Sequence, residues 1–349
     1  MQSAISMKKT LSIVYVGSLD KRSNSYRRFN TLLLLGHQVM GIDNDEYIST
    51  GVFSRLHYHL NFGPGIRKLN KEIRACIKIN TPDLLLVDNK PYLTANSLRW
   101  IKRHYPAIKV ANLITDDPTG KYKQTWRLCL QTAALYDVQF VQRAVNIEEL
   151  RKKGAKRVEL CYRSYDPAFH RPIELNEHDK RKFQCAVGFI GTYEAEREEF
   201  IAYLIESGIS VKVVGDGWPK GKFWNIISPY YDGPSVYGEE YVKRINGMGI
   251  ALHFLRHVNR DQQDSRTFEI PACGVFMLAE RSILHETFFL EHQEAEFFIS
   301  KEELLQKVCY YLNHETEKKQ IALNGFNRSS SSKYDHSARL EKVLEQIFE

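Results

Sequence analysis

The chain has 349 residues, of which 43% are hydrophobic and 12% aromatic, enough for a packed core in each of two domains. No stretch of the sequence is long and apolar enough to cross a bilayer. The net charge of +7 favours anionic partners such as nucleotides, phosphates or an acidic membrane surface. The sequence has no dense Lys/Arg block interleaved with aromatic residues, which disfavours nucleic acid as a partner.

The six cysteines are scattered along the chain and form no CxxC pair. This spacing argues against a disulfide framework and against a zinc site, and it is typical of a reducing compartment. We therefore expect a cytoplasmic protein.

The first half of the chain alternates short apolar runs with amphipathic stretches, the pattern of βα units around a parallel sheet. The first predicted helix ends at Gly36, and a second helix is predicted over residues 95–104. Strands are predicted at residues 11–16, 37–42, 83–88, 109–114, 137–141 and 157–160.

The pattern lapses between residues 162 and 183, which we interpret as an interdomain linker, and then restarts. Strands are predicted at residues 185–190, 209–214, 249–254 and 275–278, and helices before Gly208 and at residues 302–312 and 339–348. The predicted fold class is α/β, with Rossmann-like domains at residues 1–170 and 171–349 whose parallel sheets face across a cleft. A ligand site is expected at the carboxyl ends of the strands.

The segment from Asp264 to Leu278 carries the most chemical information. Because Pro271 lacks a backbone N–H, it favours the first turn of a helix, which predicts a helix start near Thr267 with that residue as the cap. Glu269 then lies in the first turn, and Arg266 stands beside free amides that suit a diphosphate. The glutamate carboxylate is suited to accept hydrogen bonds from a ribose diol. The alternative is that Glu269 only complements the helix dipole and Arg266 is a solvated cation.

Sequence motifs that match one known family run through most of the chain. The most specific are Gly188-Phe-Ile-Gly-Thr192, Arg197, Val214-Gly-Asp-Gly-Trp218, Asn259-Arg-Asp261 and Arg266-Thr-Phe-Glu-Ile-Pro-Ala-Cys-Gly274. Weaker matches include Ser25, Arg28, Tyr136-Asp137 and His170-Arg-Pro172. Together they resemble glycosyltransferases of the GT-B fold, and more closely the group-1-type enzymes related to the spore maturation protein CgeB.

The resemblance implies a hexosyltransferase that moves a sugar from a nucleotide-diphosphate donor to a hydroxyl acceptor. That acceptor is a cell-surface polysaccharide, a lipid-linked glycan or a protein. It implies that Glu269 contacts the ribose, that Arg266 holds the diphosphate, and that the Gly215–Gly217 loop and Tyr237 lie against the donor. The implied donor-binding residues are Gly191, Arg197, Gly215, Asp216, Gly217, Tyr237, Asp261, Arg266, Thr267 and Glu269. Asp261 departs from the glutamate of retaining relatives, so the stereochemical outcome is left open.

Two aspartates end a predicted strand of the N-terminal domain, which we expect to form the acceptor side. Asp116 or Asp117 is a candidate general base there, and an Asx turn before Pro118 is an equal alternative. Asn89 and Lys90 follow the preceding strand and share this ambiguity.

We expect neither a metal nor a cofactor, with the nucleotide sugar as co-substrate. The Asp43-Asn44-Asp45 sequence has the DxD spacing that holds a metal-bound nucleotide sugar in GT-A glycosyltransferases. A GT-A enzyme would not show an α/β pattern that stops and starts again, so this role is disfavoured. Neither Gly17 nor Gly191 opens a GxGxxG fingerprint, which disfavours a nicotinamide cofactor.

The alternative functions are a nucleotide-sugar 2-epimerase and a non-catalytic spore-coat or surface protein. Peripheral association with an anionic membrane would suit the basic charge.

Overall fold

The computed structural model describes residues 10–48 and 54–349. Its strands form two parallel sheets. The strands are β1 (Ser12–Gly17), β2 (Gln38–Asp43), β3 (Leu84–Asp88), β4 (Lys109–Ile114), β5 (Val138–Val141), β6 (Val158–Leu160), β7 (Cys185–Ile190), β8 (Val211–Val214), β9 (Met248–His253), β10 (Met277–Glu280) and β11 (Glu296–Phe298).

Helices connect the strands and follow the last of them. They are α1 (Asn24–Leu34), α2 (Asp45–Ile48), α3 (Ser54–Leu60), α4 (Pro64–Asn80), α5 (Ala95–His104), α6 (Arg127–Thr132), α7 (Ala144–Arg151), α8 (Glu177–Phe183), α9 (Ala195–Glu206), α10 (Trp224–Ile227), α11 (Gly238–Asn246), α12 (Ser265–Ala272), α13 (Ile283–Phe288), α14 (Lys301–Asn313), α15 (Glu315–Ser331) and α16 (His336–Phe348). Within the described ranges, none of these helices has the length and apolar character needed to span a bilayer.

The two sheets confirm the predicted α/β class with two Rossmann-like halves. The first sheet has the order β2-β1-β3-β4-β5-β6 and the second the order β11-β10-β9-β7-β8. In each sheet the first strand along the chain is internal. The second strand pairs with one side of it, and the third strand pairs with the other side. The strand order therefore reverses between the first and third strands of each sheet, and open α/β sheets bind ligands at such a reversal point.

Continuous apolar runs explain why the strands lie inside. All five residues of β3 are buried, and β1 and β4 are each buried at five of six positions. Strands covered by helices on both faces lack the alternation of half-exposed strands. The predicted linker at residues 162–183 contains helix α8. Asn176 caps this helix by accepting a hydrogen bond from the Asp179 amide.

The compact units differ from the predicted division at residue 170. Unit 1 comprises residues 1–162, 258–260 and 336–349, and unit 2 comprises residues 163–257 and 261–335. Helix α16 therefore belongs with unit 1, whereas the sequence placed it in the C-terminal domain. Its apolar face, which includes Leu340 and Val343, packs in one core with Leu32 of α1 and Ile13 of β1. Burial of that face decides where the helix docks.

Candidate functional site

The reversal point of the unit 2 sheet lies between β7 and β9. Gly191 and Thr192 follow β7, and Phe254 and Leu255 follow β9. The carboxyl ends of these parallel strands diverge here because β7 leads to β8 on one side while β9 leads to β10 on the other. Topology therefore makes this edge the candidate ligand site of unit 2.

Arg197 of α9 donates hydrogen bonds to the residues that follow both β7 and β9. Its Nη1 donates to the Thr192 carbonyl at 3.0 Å, and its Nη2 donates to the carbonyls of Phe254 and Leu255 at 3.3 and 3.2 Å. The Nε atom is buried and has no hydrogen-bond partner. Burial lowers the pKa of this guanidinium, and the positive charge of Arg266 lowers it further. A cation in this setting gains from an anionic ligand.

Helix α12 begins earlier than predicted. Asp264 is its N-cap and Ser265 its first residue, so Thr267 is the third helical residue and not the cap. Thr267 instead accepts a hydrogen bond from the Asp264 amide, completing a capping box. Glu269 is consequently the fifth residue of the helix rather than part of its first turn.

Pro271 lies in the last turn of α12, not in the first. The helix has eight residues and ends at Ala272, so the proline removes one hydrogen bond near the end of a short element. Gly274 then adopts a φ of +70°, and its amide donates to the Pro271 carbonyl at 2.8 Å. This glycine makes the tight turn that the sequence predicted there.

The start of α12 is already occupied by a carboxylate. Asp264 Oδ1 accepts a hydrogen bond from the Arg266 amide at 2.7 Å, and the capping box also engages the Thr267 amide. Burial alone would raise the pKa of Asp264, but His253, Arg266 and Arg197 hold it well below its usual range. The prediction of unpaired amides for a diphosphate at this helix start is therefore wrong. The competing carboxylate, Asp264, lies three residues before Thr267, the predicted cap.

Arg266 does retain unpaired hydrogen-bonding capacity. Its Nε is buried without a partner, and its Nη1 lies 3.6 Å from Asp264 Oδ2. Burial would lower the pKa of this guanidinium, but the phenol oxygen of Tyr241 and the carboxylates of Asp264 and Glu269 raise it overall. Arg197 and Arg266 thus each have a buried Nε donor without a partner. The resemblance implied that both residues bind the donor, and this stays a prediction.

The Glu269 carboxylate is nearly buried, with a residue exposure of 4%. Its Oε2 accepts a hydrogen bond from the Tyr241 hydroxyl at 2.5 Å, and its Oε1 lies 3.7 Å from His170 Nε2. His170 Nδ1 accepts a hydrogen bond from the Asp166 amide, so the proton of the neutral imidazole is on Nε2. Burial raises the pKa of Tyr241, and the Glu269 charge raises it further. The sequence analysis predicted no role for Tyr241 or His170, although His170 was among the motifs that resemble the family.

The glycine loops after β7 and β8 meet closely. Gly215 has a φ of +148°, and a Cβ there would lie 2.0 Å from the Gly191 carbonyl oxygen. Gly217 has a φ of +88°, and Asp216 between them is exposed and accepts a hydrogen bond from the Ser235 amide at 3.1 Å. The structure therefore brings Gly191, Gly215 and Gly217 together at one edge of the sheet.

Two further predicted donor contacts lie on the loops of unit 2. Tyr237 is 54% exposed and precedes the first residue of α11. Asp261 is half-buried, and its amide donates to the Arg256 carbonyl at 3.3 Å.

In unit 1, Asp117 is a structural anchor. Arg260 donates from Nε to Asp117 Oδ2 at 2.6 Å and from Nη2 to Oδ1 at 2.8 Å. The amides of Thr119 and Gly120 donate to Oδ1, which is the Asx turn weighed as the alternative, and Asn146 Nδ2 donates to it at 2.9 Å. Burial would raise the pKa of Asp117, but these hydrogen bonds lower it. With both oxygens engaged and the side chain buried, Asp117 is not placed as a general base.

Asp116 is the more accessible carboxylate of the pair. It is half-buried and accepts a hydrogen bond from Asn89 Nδ2 at 3.1 Å. Lys90 stands nearby against the rings of Tyr92 and Trp126, and burial lowers the pKa of its ammonium to about 8. The strand ends of β3 and β4 therefore do bring Asn89, Lys90 and Asp116 together.

The aspartates of the Asp43-Asn44-Asp45 sequence hold a loop. Asp43 Oδ1 accepts hydrogen bonds from the amides of Leu19 and Asp45, and Asp45 Oδ2 accepts one from the Ser18 hydroxyl.

Within residues 10–48 and 54–349, the structure groups three metal-ligating side chains at Glu291, His292 and Glu296. Lys307 Nζ lies 2.7 Å from both glutamates, and Arg281 pairs with Glu291. Their positive charges compensate these carboxylates.

Comparison with known proteins adds to this geometry. Residues 197–345 match a family model described as glycosyl transferase-like. That stretch is similar to glycosyltransferase domains. It contains Arg197, Arg266, Glu269 and the Gly215–Gly217 loop. No curated protein sequence matches the chain.

Solved structures match nearly the whole chain. Sucrose-phosphate synthase from Thermosynechococcus elongatus superposes with a TM-score of 0.66 at 11% identity, over 97% of this chain and 99% of that one. The HepE protein of Anabaena in complex with UDP-glucose gives the same TM-score, identity and coverage. A candidate UDP-N-acetylglucosamine 2-epimerase from Listeria monocytogenes gives 0.53 at 10% identity, over 96% and 95% of the two chains. The two-sheet architecture around the glycosyltransferase-like domain is thus the GT-B fold.

Proposed function

We propose that this protein transfers a hexosyl group from a nucleotide-diphosphate sugar to a hydroxyl acceptor, with the donor bound by unit 2. The glycosyltransferase-like domain and the GT-B fold support this proposal. HepE, which shares the fold, is described in complex with UDP-glucose. The narrower assignment to the CgeB-related group stays a prediction from the sequence motifs.

The observation that carries the proposal is the pair of buried, unpartnered Nε atoms of Arg197 and Arg266. A buried guanidinium N–H without an acceptor is costly, and a diphosphate would supply charged acceptors to both. The reversal point between β7 and β9 places Arg197 where α/β sheets bind ligands. The diphosphate is then held by arginine side chains rather than by the amides of α12, which Asp264 occupies.

Glu269 is proposed to accept hydrogen bonds from the ribose hydroxyls. An ionised carboxylate has about four acceptor positions, so a bond from Tyr241 leaves capacity on Oε1 and Oε2. The hydrogen bond from Tyr241 fixes its orientation before the ligand arrives, and His170 Nε2 lies 3.7 Å from Oε1. Such preorganisation reduces the entropic cost of binding.

In the chemical step, the diphosphate leaves with negative charge as the acceptor oxygen bonds to the sugar carbon. We propose that Arg197 and Arg266 stabilise that charge without a metal or cofactor. Asp116 is the proposed general base that takes the acceptor proton, because Asp117 is fully engaged by Arg260 and its neighbours. The stereochemical outcome stays open.

A cytoplasmic location and docking at an anionic membrane surface also stay proposals. All six cysteines are free in the structure, and three of them are buried, which supports a reducing compartment. The net charge of +7 supports attraction to acidic lipids.

Calorimetry with UDP, GDP, dTDP and uridine tests the donor site. We expect one diphosphate to bind, Glu269→Ala to weaken it about 10- to 100-fold, and the exposed Glu302→Ala control to leave it unchanged. Arg266→Gln should weaken the diphosphate but not the nucleoside. If the folded wild-type protein binds none of these nucleotides, the proposal fails, and a non-catalytic role takes its place.

A nucleotide-sugar 2-epimerase is the second candidate, because the Listeria protein of that description shares the fold. Incubation of a bound donor without an acceptor separates the two reactions. An epimerase would convert the sugar of UDP-N-acetylglucosamine at carbon 2, whereas a transferase would leave that carbon unchanged.

A further inference from the structure

Unit 1 contains a cavity of about 440 Å³ that the proposed donor site does not use. Helices α4, α5 and α6 line it together with the loop between α3 and α4. Asn70 fixes its wall, because its Nδ2 donates to the carbonyls of Ile66 and Tyr92 while its Oδ1 accepts from the Thr94 amide. The cavity is thus preformed by a satisfied buried side chain.

The charged residues of this cavity are all arginines. Arg67 and Arg74 lie seven residues apart on α4, two turns of one helical stripe, and Arg127 faces them from α6. Among the described residues that line the cavity, there is no aspartate or glutamate. Within the same described part of the chain, none of the three guanidinium groups forms an ion pair or a hydrogen bond.

Three like charges around one cavity repel one another unless an anion neutralises them. Arg67 and Arg127 are exposed, whereas Arg74 is half-buried. Half-buried arginines elsewhere in unit 1, such as Arg28, Arg157 and Arg260, are paired with a carboxylate. We propose that the cavity is a binding site for the phosphate of a phosphorylated ligand. Guanidinium groups match phosphate oxygens in pairs, and a diphosphate carries enough charge for three of them, whereas one carboxylate does not.

Apolar side chains indicate what the rest of the ligand contacts. Phe62 is 57% exposed and Leu60 is 53% exposed, and both line the cavity. The Arg67 guanidinium lies 5.3 Å from the centre of the Phe62 ring, which orients the cation beside an apolar surface. A phosphate ester with a hydrocarbon or sugar portion fits both features. That this ligand is the acceptor rests on the proposed function, whereas the phosphate site itself does not.

The test uses the full chain and calorimetry with inorganic pyrophosphate, farnesyl diphosphate, glucose 1-phosphate and citrate, with UDP binding measured in parallel. We expect a phosphate-bearing probe to bind, and Arg67→Gln and Arg127→Gln each to weaken it about tenfold. Arg99→Gln on α5 removes the same charge outside the cavity and should change nothing. UDP affinity should be unchanged in all three variants.

Tighter binding of farnesyl diphosphate than of pyrophosphate would support a lipid-linked ligand, and equal binding would support a soluble phosphate. Citrate binding as tight as pyrophosphate binding would overturn the phosphate assignment. So would phosphate binding that survives the Arg67→Gln/Arg127→Gln double substitution, or no binding at all. If the wild-type chain binds none of UDP, GDP and dTDP, the donor site alone is rejected, because binding of the cavity probes is measured independently of it.

Discussion

Replacement of Asp117 and Asp116 by asparagine should separate a structural carboxylate from a catalytic one. Both aspartates follow β4, and the sequence presented them as equivalent. In the structure, Asp117 is buried and bound to Arg260, Asn146 and two amides, whereas Asp116 is half-buried and accepts a hydrogen bond from Asn89. We expect Asp117→Asn to reduce stability and Asp116→Asn to reduce transfer rate with little change in stability.

The magnitude follows from the contacts that asparagine cannot keep. Its carbonyl still accepts from the Thr119 and Gly120 amides, but its NH₂ group would face the Arg260 Nε that now lies 2.6 Å from Oδ2. One charge-assisted hydrogen bond and one ion-pair charge are lost. Arg260 is partly exposed and keeps Glu149 at 2.9 Å, which limits the cost. We expect a loss of about 2 kcal/mol and a fall in Tm of about 4–8 °C.

Urea denaturation of both variants, followed by fluorescence between pH 3 and pH 8, measures this difference. Because the folded pKa of Asp117 is lowered, its stabilisation is present above the unfolded pKa of about 3.9 and is lost as pH falls through the folded value. The gap between wild type and Asp117→Asn should therefore narrow below about pH 4. Full stability of Asp117→Asn at pH 7 together with lost transfer activity would refute the structural assignment.

Three further predictions concern single residues. Gly215→Ala should destabilise unit 2 by more than Gly233→Ala in urea denaturation. Both glycines have positive φ, at a cost of about 1–3 kcal/mol each, but only the Gly215 Cβ would strike the Gly191 carbonyl. Tyr241→Phe should lower the free energy of unfolding by about 1.5–3 kcal/mol, since it leaves the buried Glu269 carboxylate without that donor; an unchanged denaturation curve would contradict this. Exposed Cys309 should react with a thiol reagent at pH 8 well before Cys129, whose pKa burial raises to about 12; equal rates in the folded protein would contradict it.

The sequence predicted the sheets well because their strands are continuous apolar runs. The predicted strand at residues 185–190 and the predicted helix at residues 95–104 coincide with β7 and α5. Helix α4 was not predicted, because Gly63-Pro64-Gly65 has the composition of a loop. In the structure, Pro64 is the first residue of that helix, a position where its missing N–H costs nothing.

The site was only partly predictable, because its chemistry depends on partners distant in sequence. Tyr241 lies 28 residues from Glu269 in the sequence, and no local sequence pattern predicts that contact. Arg260 lies 143 residues from Asp117, so the equivalence of the two aspartates could not be resolved from the sequence. The start of α12 was misplaced for a different reason. Pro271 was given more weight than Asp264, although a capping carboxylate fixes a helix start more strongly than a proline near its end.

The two sheets share a topology, but the arginines at their reversal points have different hydrogen-bond partners. In unit 1, Arg28 donates from Nε and Nη2 to Asp88 at 2.8 and 2.9 Å, so the protein's own carboxylate fills the anion position beside β1 and β3. In unit 2, Arg197 bonds only to carbonyls, and its Nε has no partner. A carbonyl carries no net charge, so no carboxylate is hydrogen-bonded to this guanidinium at the position where the sheet offers a ligand site. The difference gives a physical reason to place the anionic donor in unit 2 rather than in unit 1.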